Sequence, residues 1–239
     1  MSGEMGELGN GAGGAGEAGC RSANASGGCG SGVNRGDGMG GTDWAGKAGD
    51  AGGAGAEKPR LAKKIVIVVN GSGGAGKDTV CEIASRHFRA RTVSAIAPVK
   101  ELAARCGWDG GKDNKSRKFL SDLKRALIEY NDLPNRYLEG EHAAFMAGGD
   151  DVLFAHIREG AQIDDFRRRV APTRCVALLV RPPSGRGAGG QQYGNDSDDN
   201  VEDYAYDYYY DNDKPIACVE SDFMRFFRSL LRNEGLLEF

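Results

Sequence analysis

The chain lacks most features that would assign a function at sight. It has only three histidines, and its six cysteines (Cys20, Cys29, Cys81, Cys106, Cys175, Cys218) are dispersed, with no C-x-x-C pair. Zinc ribbons and disulfide frameworks need tighter spacing than that. The cysteines therefore read as reduced, mostly buried thiols of a cytoplasmic protein. No Ser–His–Asp or Cys–His arrangement stands out, which leaves activated-nucleophile chemistry without a candidate. No apolar run approaches the length of a membrane span. A basic excess is missing too: residues 59–239 carry 27 basic and 27 acidic side chains. Nucleic-acid binders usually show such an excess, so neither nucleic acid nor membrane is expected as a partner.

What is abundant is glycine, and it is unevenly spread. Residues 1–58 hold 21 of the 38 glycines, with seven acidic and four basic residues. Such a segment cannot bury enough surface to offset its ordering entropy, so a disordered extension is expected there. Its lack of an apolar core argues against a secretory signal, and its acidic residues argue against a mitochondrial transit peptide. Residues 59–239 have the length of one domain.

The second glycine cluster has a different context. Ile65-Val66-Ile67-Val68-Val69-Asn70 is a β-branched run, Gly71-Ser72-Gly73-Gly74-Ala75-Gly76 follows, and Lys77-Asp78-Thr79 opens an apolar-periodic segment. This is the strand, loop and helix order of a phosphate-binding P-loop. Glycines let backbone N–H groups approach phosphate oxygens, and the helix start adds its dipole. Lys77 would reach the transferable phosphate. Asp78 stands where G-x-x-x-x-G-K-[ST] has a hydroxyl, and as a hard oxygen ligand it would hold Mg2+. Thr79 keeps a hydroxyl one position later, for an inner phosphate. The same residues also spell G-x-G-x-x-G, the dinucleotide pattern, which leaves an NADP-dependent reductase as a competing reading. That pattern expects an acidic residue about 20 positions on. The second strand, Arg91–Ile96, offers none, and a dinucleotide loop has no use for Lys77.

Further along, periodicity predicts a helix to about Arg89, a second strand over 91–96, and a helix from Pro98 through Cys106. Residues 116–131 should form an amphipathic helix with Phe119, Leu120, Leu123, Leu127 and Tyr130 on one face. A helix over 134–147 stops at Gly148-Gly149. A buried strand over 151–159 runs into a charged turn, a helix through Arg169 follows, and Arg174–Val180 forms a fourth strand. Residues 181–200 read as a mobile loop. Tyr204–Tyr210 should be a fifth strand, and 217–231 a docking helix. His87 and His142 are expected on helix surfaces. Alternating strands and helices imply an α/β fold: a parallel sheet of about five strands, covered on both faces, in the three-layer P-loop NTPase manner. Ligands of such sheets bind at the carboxyl ends of the strands.

Several stretches resemble one family, the phage-type deoxynucleoside monophosphate kinases and their relatives, including the animal-type phosphomevalonate kinases. The loop ending Gly76-Lys77-Asp78-Thr79 is similar to that family's G-K-D variant. Ser94-Ala95-Ile96-Ala97-Pro98-Val99-Lys100-Glu101-Leu102 resembles its segment after the second strand. Ile157-Arg158-Glu159, Leu179-Val180-Arg181-Pro182 and Tyr206–Asp213 are similar to its later half. The likeness spans roughly residues 64–230, and it also extends to an uncharacterised bacterial branch. It implies an ATP- and Mg2+-dependent transfer to a small phosphorylated acceptor, most simply a (deoxy)nucleoside monophosphate. Lys77 and Arg158 would be catalytic and Lys100 would bind the acceptor. Asn212 and Asp213 would contact the donor base. Helical position adds Arg117 as an acceptor-phosphate candidate; a plain salt bridge is the alternative for both basic residues. Arg181 and Arg186 would belong to a lid over 181–203. The chain departs from the family at His156, where an Asp two residues before the arginine is usual. That departure shifts metal binding onto Asp78 or Asp151, or leaves a nucleotide-binding regulatory protein without turnover. The plainer reading of His156 is a histidine hydrogen-bonded at a strand end. Oligomeric state stays open.

Overall fold

The computed structural model describes residues 57–182 and 201–237. Its centre is β1 (Ile65–Asn70), buried at every position. Side chains alternate across a strand, so a strand covered on both faces must be apolar throughout. Ile65, Ile67 and Val69 enter one core and Val66 and Val68 the other. β3 (Val152–His156) and β4 (Arg174–Arg181) flank β1; β2 (Ala90–Ser94) lies outside β3 and β5 (Tyr208–Asp211) outside β4. All four pairings are parallel.

The first core is closed by α1 (Lys77–His87) and the C-terminal helix α6 (Ile216–Asn233). There Phe223 and Phe227 stack at 5.6 Å, and Phe227 meets Phe88 edge-on at 5.4 Å. The second is closed by α4 (Leu133–Ala147) and α5 (Gly160–Arg169), through Leu138, Phe145, Ile163 and Phe166. Two helices on each face of one parallel sheet, with the glycine loop between β1 and α1, make the three-layer α/β arrangement of P-loop NTPases. The order β2-β3-β1-β4-β5 also separates this chain from the dinucleotide-binding fold, where the second strand lies beside the first. Here β3 takes that place.

The element positions follow the sequence pattern closely, with informative exceptions. The fifth strand begins only at Tyr208, four residues later than expected. Asp207 is the reason: its carboxylate accepts the Ala177 N–H (2.7 Å) while its own N–H donates to the Ala177 carbonyl (3.0 Å). Tyr204 and Tyr206 turn instead toward the α5 core. α3 (Asn114–Asn131) forms as predicted, capped by Asp113 accepting from Ser116 N–H, but none of its residues is buried. It packs on α2 (Ala97–Arg105) and α4 rather than on the sheet, leaving Phe119 38% and Tyr130 85% exposed. Of the described cysteines, Cys81 and Cys175 are buried while Cys106 and Cys218 are exposed, so the expectation of mostly buried thiols holds for two of four. His142 is half-buried, its Nε2 3.0 Å from Thr173 Oγ1, and burial lowers its pKa. Residues 183–200, the body of the expected lid with Arg186, lie outside the described residues, as do 1–56.

The described ends of the chain meet. Ala62 N–H donates to the Leu236 carbonyl (3.2 Å), and Leu61 and Leu236 share the α1–α6 core. This junction lies at the edge where β1 begins.

Candidate functional site

The carboxyl ends of β1, β3, β4 and β5 bring the loop, His156, Arg181 and Asn212 to one edge. Register places Val69 beside His156, Asn70 beside Leu179, and Arg181 beside Asp211. The loop leaves β1 at Gly71, with φ +148°, and a Cβ there would stand 2.3 Å from the Val180 carbonyl oxygen. At Gly76, φ is +91° and a Cβ would stand 2.4 Å from Asn212 Nδ2. Gly71 therefore requires glycine for space, against backbone, and Gly76 for its positive-φ backbone conformation. The loop is pressed against β4 and Asn212, and no side chain caps α1. Its first N–H groups thus lack a side-chain acceptor, which suits an anion.

Lys77 occupies the first turn of α1, and its Nζ donates to the Gly71 and Ser72 carbonyls (2.6 and 2.8 Å). The ammonium therefore lies over the loop mouth. Asp78 is 92% exposed beside it, and Thr79 is exposed. Facing Asp78 from the end of β3 is His156, only 14% exposed, with Nε2 3.7 Å from the Asp78 carboxylate and 3.8 Å from Cys81 Sγ. Burial lowers the His156 pKa, the Asp78 carboxylate opposes that shift, and Lys77 and Arg158 reinforce it. Burial likewise pushes the Cys81 thiol up, away from thiolate.

Two residues that sequence reasoning passed over organise this edge. Asn70, 1% exposed, accepts the Gly71 N–H (2.8 Å) through Oδ1. Its Nδ2 donates to the Arg158 carbonyl and to Tyr206 Oη, both at 2.8 Å. The Tyr206 hydroxyl donates onward to the Val201 carbonyl (2.7 Å), and burial raises its pKa to about 12. One amide thus joins the loop, the end of β3 and the segment before β5. The only signal in the sequence is a polar residue closing an otherwise apolar strand.

The other candidates are spread more widely. Arg158 follows β3 directly and is exposed. Lys100 is exposed in the first turn of α2, close behind Ala95, whose N–H donates to the His156 carbonyl (3.1 Å). Arg117 donates Nε to the Lys112 carbonyl (2.8 Å). Arg181 stacks over Tyr209 at 4.6 Å, with Asp211 3.7 Å away. Asn212 Nδ2 donates to the Ala75 carbonyl (3.0 Å), so it braces the loop, while Asp213 pairs with Lys214 (3.0 Å). Asp151 cannot serve a metal here. It is buried before β3, accepting from Leu61 N–H, and five residues of strand put it about 16 Å from His156. Among the described residues no three His, Cys, Asp or Glu side chains cluster as a metal site. Asp78 fits an ion that draws most ligands from phosphates and water.

No protein-family model matches the chain, and no curated protein matches it. Solved structures do. A sugar kinase from Janibacter sp. HTCC2649 is similar over 70% of this chain and 95% of its own, at 16% identity and a TM-score of 0.41. A gluconokinase from Sinorhizobium meliloti 1021 covers 74% of this chain and 98% of its own, at 15% identity and a TM-score of 0.40. For a shikimate kinase from Aquifex aeolicus the shares are 71% and 98%, at 14% identity and a TM-score of 0.39. Likenesses this distant carry no argument about chemistry. No helix among the described residues is long and apolar enough to cross a membrane.

Proposed function

We propose that this protein is a P-loop small-molecule kinase. It transfers the γ-phosphoryl of ATP to a small phosphorylated acceptor, a (deoxy)nucleoside monophosphate in the first place. One observation carries the reading: a cradle at the carboxyl edge of a parallel sheet, with Gly71 closed to a Cβ by the Val180 carbonyl, Gly76 held at positive φ, and Lys77 donating to the loop carbonyls. The fold alone leaves the acceptor open, and the family resemblance supplies it.

An acceptor phosphate oxygen is already anionic at neutral pH, so its attack on the γ-phosphorus needs no general base. One phosphorus–oxygen bond forms, the bond to the ADP oxygen breaks, and the negative charge passes to ADP. Alignment and charge stabilisation then supply most of the rate. The 71–76 amides and the start of α1 cradle the donor phosphates. Lys77 exchanges its carbonyl partners for the β- and γ-oxygens, and Arg158 faces the transferred group. A divalent cation, held by Asp78, would neutralise phosphate charge. Lys100 and Arg117 bind the acceptor phosphate, and Arg181 stands at the end of β4 beside Asp211. Asp213 lies toward the donor base, with Asn212 supporting the loop.

Coupled ADP release with ATP and a divalent cation tests this against nucleoside and deoxynucleoside monophosphates and phosphomevalonate. One acceptor should stimulate turnover, and Lys77→Ala should lower it at least about 100-fold. His156, where the resembled family usually has Asp, together with Asp78 in place of the usual P-loop hydroxyl, favours a second reading, a nucleotide-binding regulatory protein without transfer. ATP binding with no acceptor-dependent ADP release would select that one.

A further inference from the structure

The pairing of Asp78 with His156 has a consequence for the choice of metal, and it rests on the nucleotide-binding reading above. Two ligands each about 2.1 Å from a shared ion stand roughly 3.0 to 3.4 Å apart, for octahedral to tetrahedral angles. His156 Nε2 lies 3.7 Å from the Asp78 carboxylate. That is too long for a hydrogen bond and within a small side-chain adjustment of the distance a bridging ion sets. The two sides of the pair differ in mobility. His156 is fixed in the end of β3, in register with Val69 and Ser94, while Asp78 is exposed and able to move. Cys81, a buried residue, approaches the same ring nitrogen at 3.8 Å from the α1 side.

We propose that His156 and Asp78 form a mixed nitrogen–oxygen half-site that selects a transition-series divalent cation, of the Mn2+ and Co2+ class, over Mg2+ for the nucleotide on the loop. Oxygen-only donors suit Mg2+, which parts with water reluctantly, whereas an imidazole nitrogen favours the later ions. The remaining coordination positions fall to phosphate oxygens and water, which agrees with the absence of a third ligating side chain among the described residues.

The experiment is nucleotide binding by the full chain, using ADP with Mn2+ or Mg2+, measured by titration calorimetry. The Mn2+-to-Mg2+ affinity ratio should exceed that of His156→Asp by about tenfold. Electron spin-echo modulation of the Mn2+·ADP complex should show nitrogen coupling, lost in His156→Asp and in His156→Gln. Its loss in the variants assigns the signal, because the adenine nitrogens of ADP are common to all three proteins and the chain has only two other histidines. His87 sits about 14 Å along α1 from Asp78, and His142 lies on α4, across the sheet. If either variant fails to fold, 15N-histidine labelling of the wild type decides alone, because it changes the coupling only where a histidine nitrogen is the source. Nucleotide binding with no nitrogen coupling and an unchanged affinity ratio would overturn this inference and leave the kinase reading standing. Failure of ADP to bind with either metal would overturn both.

Discussion

At the residue scale, the joint at Asn70 concentrates most of what holds the site in shape. Its three hydrogen bonds reach a neighbour one residue away, a carbonyl 88 residues away and a hydroxyl 136 residues away. A buried polar group costs most when one of its partners is removed. Asn70→Ala, which strands the Gly71 N–H and the Arg158 carbonyl, should destabilise by about 2–4 kcal/mol. Tyr206→Phe leaves Asn70 its Arg158 partner and should cost about 1 kcal/mol. Urea unfolding of both variants and the double mutant should show about 1 kcal/mol of coupling; strictly additive losses would mean the two do not act as a unit. The same residues show what the sequence could reveal. The glycine loop is a local pattern, so Gly71, Gly76 and Lys77 were legible at once. Asn70 was not, because its partners come from distant segments. Asp151 looked like a ligand only while its strand end was ignored.

At the scale of elements, amphipathic spacing proved an uneven guide to burial. α6 and α3 both show apolar residues at helical intervals. α6 buries Phe223 and Phe227 completely, against the sheet, while α3 buries nothing. Spacing says which residues share a face and not whether that face meets a sheet or two other helices. The difference has a measurable form. Phe227→Ala should cost about 3–5 kcal/mol, because the cavity opens among Phe88, Phe154 and Phe223. Leu123→Ala, on the half-buried side of α3, should cost no more than about 1 kcal/mol. Equal losses in denaturant would show that α3 carries core-like packing after all. The late start of β5 belongs at this scale too. Aromatic content suited a strand throughout 204–210, yet one aspartate replaced the ladder at its first residues.

At the scale of the whole molecule, residues 59–239 carry as many basic as acidic side chains, so acid stability falls to individual ion pairs. Glu234, 8% exposed, accepts from Arg174 Nε (2.5 Å) and Nη2 (3.0 Å) and from the Tyr208 hydroxyl (2.8 Å). The Arg174 hydrogen bond lowers its pKa, with burial opposing. A lowered carboxylate pKa means that the unfolded chain takes up the proton first as pH falls. The stabilisation is then complete above the ordinary glutamate value of about 4.3 and is lost below it, through the folded value. Arg174 is 54% exposed, which limits the pair to about 1 kcal/mol. Arg174→Met should therefore lose less stability than wild type between pH 6 and pH 3, by about that amount. Parallel pH curves for the two proteins would count against it.

The hydrogen bond from Ala62 to Leu236 closes the fold into something near a ring. Every strand keeps its neighbours wherever such a ring is cut, provided the cut falls in a turn. Joining residue 57 to residue 237 and reopening the chain at the exposed Gly148-Gly149 turn would leave the loop, His156 and Asn70 with all their contacts. In sequence, the phosphate cradle would then follow β3, β4 and β5, although it would sit in the same sheet position. The order in which the chain visits the sheet is thus separable from the geometry on which the site depends.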